Sequence, residues 1–219
     1  MVFRSRTDAG CRLGELVVDR FEFSPYALGT ASAAVMGLPR GGVPVAAEVA
    51  RCLGLPLDVL VVRKIGVPWQ PELAMGAVGE NGAVVLNESV VSASLVGPDE
   101  LDALIRKASH EVDQVVAELR GSGDPLDVTD RMVVVVDDGV ATGATARAAA
   151  GVLRRRGSGP VILATATAPP STCASLRDCF DDVIALETPR HFGSVGQQYE
   201  HFEQVSVAEV RRLLGGARR

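Results

Sequence analysis

The run from Val133 to Thr145 constrains this chain more than any other part of its sequence. It reads VVVVDDGVATGAT, which is four valines, two carboxylates, a loop of small residues and two threonines. Four β-branched residues are too few for a helix and predict a strand buried on both faces. The Ala- and Arg-rich residues 145–156 that follow predict a helix. A strand, a tight loop and a helix N-terminus form an anion site, because free backbone N–H groups and the helix dipole point at the loop.

The residue types in this run fit one kind of ligand. Small residues let a phosphate approach the backbone, and Thr142 and Thr145 can add hydroxyl donors. The neighbouring carboxylates of Asp137 and Asp138 suit a diol or a metal ion. The run therefore predicts a ligand with a phosphate at one end and a diol or metal at the other.

This run also resembles, position for position, the ribose-phosphate signature of the type I phosphoribosyltransferases. The resemblance implies that the loop binds the 5-phosphate of phosphoribosyl pyrophosphate, and that Asp137 and Asp138 bind the ribose 2- and 3-hydroxyls. The loop residues with this expected role are Ala141, Thr142, Gly143, Ala144 and Thr145. The competing interpretation is a generic β-loop-α turn with an acidic helix entry.

Strands and helices alternate along the chain. Strands are predicted at residues 34–38, 57–62, 83–86, 132–136, 161–165 and 183–186, and helices at 7–18, 44–53, 98–119, 145–156, 171–178 and 206–214. Such alternation predicts a three-layer α/β fold, a mostly parallel sheet of about five to six strands with helices on both faces. The family resemblance implies one domain over 1–219, with strand 83–86 running opposite to the rest. Its core would be residues 30–186, and a small hood would come from 1–29 and 187–219.

A second candidate anion loop follows the first strand. Arg40, Gly41 and Gly42 resemble the pyrophosphate loop of the same family. The two glycines let backbone N–H groups turn inward, and a guanidinium can fork two donors onto phosphate oxygens. The competing interpretation is a plain turn with a solvated arginine. In a parallel sheet, ligands bind at the carboxyl ends of the strands where the winding reverses, so both loops are expected in one crevice.

The Gly- and Pro-rich segment 63–82 is predicted to be a long mobile loop with a strand at its end. Loops of this length inside a domain are often lids, and the family has a flexible loop here. Arg63 and Lys64 follow the second strand directly, so they are expected at the same sheet edge. The resemblance assigns both to the pyrophosphate, with Lys64 placing a point charge on the leaving group. The alternative is an exposed Arg-Lys pair at a strand end.

The C-terminal segment after the last strand is rich in aromatic residues. Family members use this region, with the N-terminus, as a hood over the acceptor. Phe192 and Tyr199 are the candidate acceptor contacts, since an aromatic face suits a planar ring. Equally, these rings can fill the gap between the tail and the core.

Composition limits which partners and which cellular compartment fit this chain. The chain has 219 residues and a formal net charge of −5, which argues against a nucleic-acid partner. Its four cysteines lack Cys-x-x-Cys spacing and are interpreted as thiols in a reducing compartment. No apolar run is long enough for a membrane span, and no signal-peptide core is present. These observations predict a cytoplasmic protein without a membrane partner.

The expected activity is transfer of a 5-phosphoribosyl group from phosphoribosyl pyrophosphate to a nitrogen nucleophile, expected to be a nucleobase, with release of pyrophosphate. Asp137, Asp138 and Lys64 are the expected catalytic residues. Mg²⁺ is the expected cofactor, bound through substrate and waters, with Asp137 and Asp138 as candidate ligands. The partners are then small molecules, and the resemblance also suggests a homodimer. The alternative is a sensor that binds the same ligand without turnover, whereas no motif supports a β-loop-α hydrolase.

Overall fold

The computed structural model describes residues 3–22, 33–121 and 123–217. The helices are α1 (Arg6–Glu22), α2 (Gly42–Leu53), α3 (Glu88–Ser94), α4 (Pro98–Arg120), α5 (Ala144–Arg155), α6 (Pro170–Leu176) and α7 (Val207–Ala217). The strands are β1 (Ala33–Gly37), β2 (Leu57–Val59), β3 (Val62–Val67), β4 (Gln70–Gly79), β5 (Val84–Leu86), β6 (Met132–Asp137), β7 (Val161–Thr167) and β8 (Asp182–Glu187).

The main sheet has five parallel strands in the order β2-β1-β6-β7-β8. The chain moves outward from β1 to β2 and then returns to the other side of β1, so the winding reverses between β1 and β6. These two strands are in register from Ala33 opposite Met132 to Gly37 opposite Val136. The predicted α/β fold with a mostly parallel sheet is confirmed. The loops that follow β1 and β6 leave the sheet side by side at the switch point.

Strand β6 is buried on both faces, as its four valines predict. Val133 and Val135 pack with α5 and α6, whereas Val134 and Val136 pack with α1 and α2 on the other face. All four side chains have no exposed surface. A strand without a solvated face holds the following loop rigidly, because a slip in register would break both cores.

The segment predicted to be a long mobile loop is instead a β-hairpin, and that prediction is wrong. Strands β3 and β4 pair antiparallel, with an irregular register around Gly66. The glycines there serve close backbone packing, since a Cβ at Gly66 would lie 2.5 Å from the carbonyl oxygen of Pro71. Buried Val62, Ile65 and Met75 then give the hairpin a packed core.

The strand predicted at residues 83–86 is present as β5, but the prediction that it belongs to the main sheet is wrong. β5 pairs antiparallel with β4, which makes a separate three-stranded sheet in the order β3-β4-β5. Helix α5 packs on one face of this sheet and α4 on the other. The five strands of the main sheet are therefore all parallel, and the small sheet covers the outer side of α5.

A buried ionic cluster joins the small sheet to the edge of the main one. Arg120, the last residue of α4, donates to Asp58 Oδ1 at 3.0 Å and to Glu80 Oε2 at 2.6 Å. It also donates to the carbonyl oxygen of Val59 at 2.9 Å. All three charged side chains are at most 3% exposed. The cluster fixes where β3 begins, and β3 carries Lys64.

The start of the described chain pairs with the segment that follows β8. The amide of Phe3 donates to the carbonyl of Gln198, and the amide of Glu200 donates to the carbonyl of Phe3. Ser206 caps α7, since its hydroxyl oxygen accepts from the amide of Glu209. The predicted boundary between hood and core, near residue 30, lies outside the described residues.

Candidate functional site

Two loops meet at the carboxyl ends of β1 and β6. The arginine loop comprises residues 40–42, and the threonine loop comprises residues 141–145. The amide of Leu38 donates to the carbonyl oxygen of Val136 at 2.9 Å, which ties the two strand ends together. Gly42 lies so close to β6 that a Cβ there would be 2.6 Å from that same carbonyl. Glycine is therefore required at this position by close approach of the backbone.

The threonine loop is held from behind. The amide of Val140 donates to the carbonyl of Thr167 at the end of β7. The hydroxyl of Thr172 in α6 donates to the carbonyl of Ala141 at 2.7 Å. Gly143 has φ 79° and ψ 2°, a left-handed conformation that favours glycine, and it directly precedes α5. These contacts fix the carbonyl side of the loop.

The amide side of the threonine loop is open. The N–H groups of Ala141, Thr142, Gly143 and Thr145 donate to no described residue. The Thr142 hydroxyl oxygen accepts only a long bond of 3.5 Å from the amide of Ala144, and the side chains of Thr142 and Thr145 are exposed. An open set of amides at the start of a twelve-residue helix is a place where an anion binds.

The two carboxylates at the end of β6 have different surroundings. The amide of Asp138 donates to Asp137 Oδ1 at 2.9 Å. Burial of the carboxylate, and then the negative charge of Asp138, raise the pKa of Asp137 well above its ordinary value. Asp137 nevertheless keeps part of its surface exposed, whereas Asp138 is 8% exposed. A carboxylate with a raised pKa beside an anion loop is typical of a functional site.

Asp138 is enclosed by the predicted Gly41 and by Arg6, which the sequence did not predict for the site. Its Oδ2 accepts from Arg6 Nε at 2.7 Å, and it also lies directly against the backbone of Gly41. Arg6 in turn donates to the carbonyl of Glu203 at 2.8 Å and lies over the ring of Phe202 at 3.9 Å. Arg6 and Phe202 carry no local sequence signal, because their partners are far away along the chain.

Tyr199 contacts the site through its hydroxyl. That hydroxyl donates to the backbone carbonyl of Asp138 at 2.5 Å. Its ring lies between those of Phe3 and Phe202, with centroids 5.2 Å and 5.1 Å away, and the residue is 6% exposed. Burial and then the charge of Asp138 raise the pKa of Tyr199. Phe192, the other predicted acceptor contact, is half-buried, and no described aromatic ring contacts it.

The two predicted basic residues of β3 lie on opposite faces of the hairpin. Lys64 lines a groove of about 620 Å³ that also includes Thr142 and Ala144, so the hairpin brings it beside the threonine loop. Arg63 faces α4, where its Nε is 3.7 Å from Glu111 Oε2. The structure thus groups Lys64 with the threonine loop and does not bring Arg63 to it.

Arg40, the first residue of the arginine loop, is half-buried. Its guanidinium forms no ion pair with any residue in 3–22, 33–121 or 123–217. Over the same residues, no group of three or more His, Cys, Asp or Glu side chains could hold a metal ion by itself. Asp137 keeps part of its surface exposed, and a carboxylate is the kind of ligand that Mg²⁺ takes together with waters. None of these described helices is long and apolar enough to cross a membrane.

Comparisons with known proteins identify the family of this chain. The family model described as "Phosphoribosyl transferase domain" matches residues 22–201. A curated Mycobacterium tuberculosis protein named "Putative phosphoribosyl transferase Rv0571c" is 44% identical over 218 residues, which is 100% of this chain and 47% of that protein. The chain thus spans about half the length of the curated relatives it matches.

Solved structures show the same fold. The crystal structure of the TT1426 protein from Thermus thermophilus is 36% identical, covers 98% of both chains and superposes with a TM-score of 0.85. The AQ2163 protein from Aquifex aeolicus is 10% identical over 87% of this chain and 78% of its own, with a TM-score of 0.52, which shows the fold alone. By the family model and by its relatives, this chain belongs to the phosphoribosyl transferase domain family.

Proposed function

We propose that this protein transfers the 5-phosphoribosyl group of phosphoribosyl pyrophosphate to a nitrogen nucleophile, most simply a nucleobase, and releases pyrophosphate. The observation that carries the proposal is the open row of amides in the threonine loop, which follows Asp137 along the chain and shares a groove with Lys64. Membership of the family supports phosphoribosyl transfer in general. The acceptor and the residue roles below are part of the proposal.

The 5-phosphate binds to the amides of residues 141–145 and to the hydroxyls of Thr142 and Thr145. The dipole of α5 adds to this attraction, because its N-terminus faces the loop. Asp137 accepts hydrogen bonds from the ribose hydroxyls. Hydrogen bonds from the ribose hydroxyls favour the charged carboxylate over the neutral one, so ligand binding would promote ionisation of Asp137.

The pyrophosphate binds to the arginine loop. Arg40 forks its donors onto phosphate oxygens, and the glycine backbone lets the anion approach. Lys64 adds a positive charge from the other side as the bond from ribose carbon 1 to the pyrophosphate oxygen breaks. The nucleophile's nitrogen forms the new bond to that carbon. Catalysis then depends on positioning and on stabilising the charge of the leaving group. Mg²⁺, bound to the substrate, supplies further charge neutralisation at the pyrophosphate.

The first test separates a transferase from a sensor. Magnesium phosphoribosyl pyrophosphate is titrated into the protein by calorimetry, and pyrophosphate release is measured with a panel of purines, pyrimidines and small amines. Binding together with release for at least one acceptor is the expected result. Binding without release across the panel favours the sensor, and absence of binding contradicts both.

Asp137→Asn is the matching variant for the site. It is expected to abolish release and to weaken binding while the fold survives, because the ring hydroxyls lose an ionised acceptor. Asp113→Asn, on the exposed face of α4, removes the same charge far from the site and is the control. Unchanged release in Asp137→Asn would contradict the role of this carboxylate.

A further inference from the structure

We infer that Arg6 is a positioning residue of the proposed transferase site and that it acts through Asp138, so that the two side chains work as one unit. The inference rests on the proposed function. It gives Asp138 a task that the family signature does not predict, since this carboxylate is bonded to the N-terminal helix.

The contacts of Arg6 hold it in one place. Its Nε bonds to Asp138 Oδ2, its Nη1 donates to the carbonyl of Glu203, and its guanidinium covers the Phe202 ring at 3.9 Å. Only 12% of the Arg6 side chain and 11% of the Asp138 side chain are exposed. A charge-assisted bond that is this well buried is directional and is weakly screened by solvent.

Asp138 links Arg6 to the arginine loop and to Asp137, the two groups proposed to bind the pyrophosphate and the ribose. Its carboxylate rests against the backbone of Gly41 in the arginine loop. Its amide donates to Asp137 Oδ1, and its carbonyl accepts from the Tyr199 hydroxyl. A displaced Asp138 would therefore move the arginine loop and Asp137 together.

Removal of Arg6 would leave Asp138 buried beside a second carboxylate without its cationic partner. Such a group turns toward water or repels its neighbour, because a buried charge needs compensation. The position of Arg6 itself depends on a backbone contact near the start of the chain. The pairing of Phe3 with Gln198 and Glu200 brings the start of α1 to the site. The hood thus positions the phosphoribosyl pyrophosphate half of the site.

The experiment is a double-mutant cycle on the affinity for magnesium phosphoribosyl pyrophosphate, measured by calorimetry on the full chain. The variants are Arg6→Ala, Asp138→Asn and the pair, with Arg6→Lys as the conservative replacement. Arg20→Ala is the control, because it removes an exposed ion pair to Asp182 from the same helix. Each single variant is expected to weaken binding by about tenfold or more, as misplaced groups do. The double variant is expected to bind no more than about threefold more weakly than either single variant, since the two partners act as a unit.

Rescue distinguishes positioning from a merely structural role. Arg6→Lys is expected to recover part of the affinity that Arg6→Ala loses, since an ammonium keeps the charge beside the carboxylate but loses the bond to Glu203 and the stacking on Phe202. A merely structural Arg6 would lower the melting temperature and leave the affinity of the folded protein unchanged. Should Arg6→Ala fail to fold, Arg6→Gln keeps a donor without the charge and replaces it in the cycle.

Two results would overturn this inference and leave the proposed function standing. One is an Arg6→Ala affinity within about twofold of the unaltered protein, and the other is losses that multiply in the double variant. Failure of the unaltered protein to bind magnesium phosphoribosyl pyrophosphate would overturn the proposed function and, with it, this inference.

Discussion

The hydroxyl of Thr172 donates a 2.7 Å hydrogen bond to the carbonyl oxygen of Ala141, which joins α6 to the threonine loop. The bond points the carbonyl inward and leaves the neighbouring amides outward. Thr172 is 8% exposed, so little water competes for this bond. It is the contact through which a residue outside the family signature fixes the proposed phosphate site.

Thr172→Val is expected to weaken binding of magnesium phosphoribosyl pyrophosphate by about tenfold, because the loop loses its anchor and binding must order it. The free energy of unfolding should fall by about 1 kcal/mol, the usual loss for one hydrogen bond. Calorimetry and urea denaturation measure the two effects. Thr129→Val removes an exposed hydroxyl that bonds to Asp127 and is the control. Equal affinities of the two variants would show that the anchor has no functional role.

Gly143→Ala tests the left-handed turn at the start of α5. Its φ of 79° strains any residue with a Cβ, and that Cβ would lie 3.0 Å from Leu176 Cδ2. Gly157→Ala has a similar φ of 74° with nothing closer than Thr129 Cγ2 at 3.8 Å. Each variant is expected to lose about 1–2 kcal/mol of stability from backbone strain. Only Gly143→Ala should also weaken ligand binding, and the same affinity in both variants would contradict the loop assignment.

Lys64→Ala is expected to slow pyrophosphate release by about tenfold or more while affinity for the donor substrate changes by less than about threefold. The reason is that the positive charge matters most when negative charge develops on the leaving group. Lys107→Ala on α4 removes the only other lysine of the chain and is the control. Equal losses of rate and affinity would mean that Lys64 binds ground state and transition state alike.

The raised pKa of Asp137 predicts a pH-dependent stability. The folded protein holds this proton more tightly than the unfolded chain, so the free energy of unfolding falls as pH rises from about 4 through the raised folded value. Asparagine cannot ionise, and its oxygen can still accept from the Asp138 amide. Asp137→Asn should therefore be more stable than the unaltered protein by about 0.5–2 kcal/mol at pH 8, a gain typical of strained functional groups.

Urea denaturation from pH 4 to pH 8 measures this effect. The stability difference between Asp137→Asn and the unaltered protein should disappear near the acidic end, where both side chains are neutral. Asp113→Asn provides the baseline for losing one surface charge. A difference that stays constant with pH would mean that burial does not perturb this carboxylate.

Arg120→Met tests the buried cluster that anchors the small sheet. Asp58 and Glu80 would remain buried without their cation, so a loss of about 3–5 kcal/mol is expected. Arg154→Met breaks an ion pair with Asp181 that is 48% and 30% exposed, and it should lose less than about 1 kcal/mol. Thermal unfolding of both variants measures the difference, and similar losses would show that burial of the cluster contributes little.

The parts of the fold that the sequence predicts are local. Four valines, two carboxylates and a threonine loop stand in one run, so strand, turn and helix follow from neighbours along the chain. Arg40 to Gly42 is likewise contiguous, and its place beside β6 follows from the winding rule for parallel sheets. The hairpin escapes prediction because Gly66 and Gly76 suggest mobility, whereas each glycine makes room for an adjacent strand.

The unpredicted parts depend on contacts between distant residues. Arg6 and Asp138 are 132 positions apart, and Arg120 meets carboxylates 62 and 40 positions away. No periodicity or motif reports such pairs, since each residue alone is an ordinary surface charge. The separation of Arg63 from Lys64 is the opposite case, because period-two alternation follows directly once the segment is recognised as a strand.

The pairing of Phe3 with Gln198 and Glu200 has a practical consequence for handling the protein. Phe3 has no exposed surface, and Arg6 lies three positions after it in the sequence. An affinity tag or fusion partner attached ahead of Phe3 would join the chain close to Tyr199. It would disturb the segment that brings Arg6 to Asp138. Helix α7 packs elsewhere, against α2 and α4. Biochemical preparations should therefore carry their tags after α7.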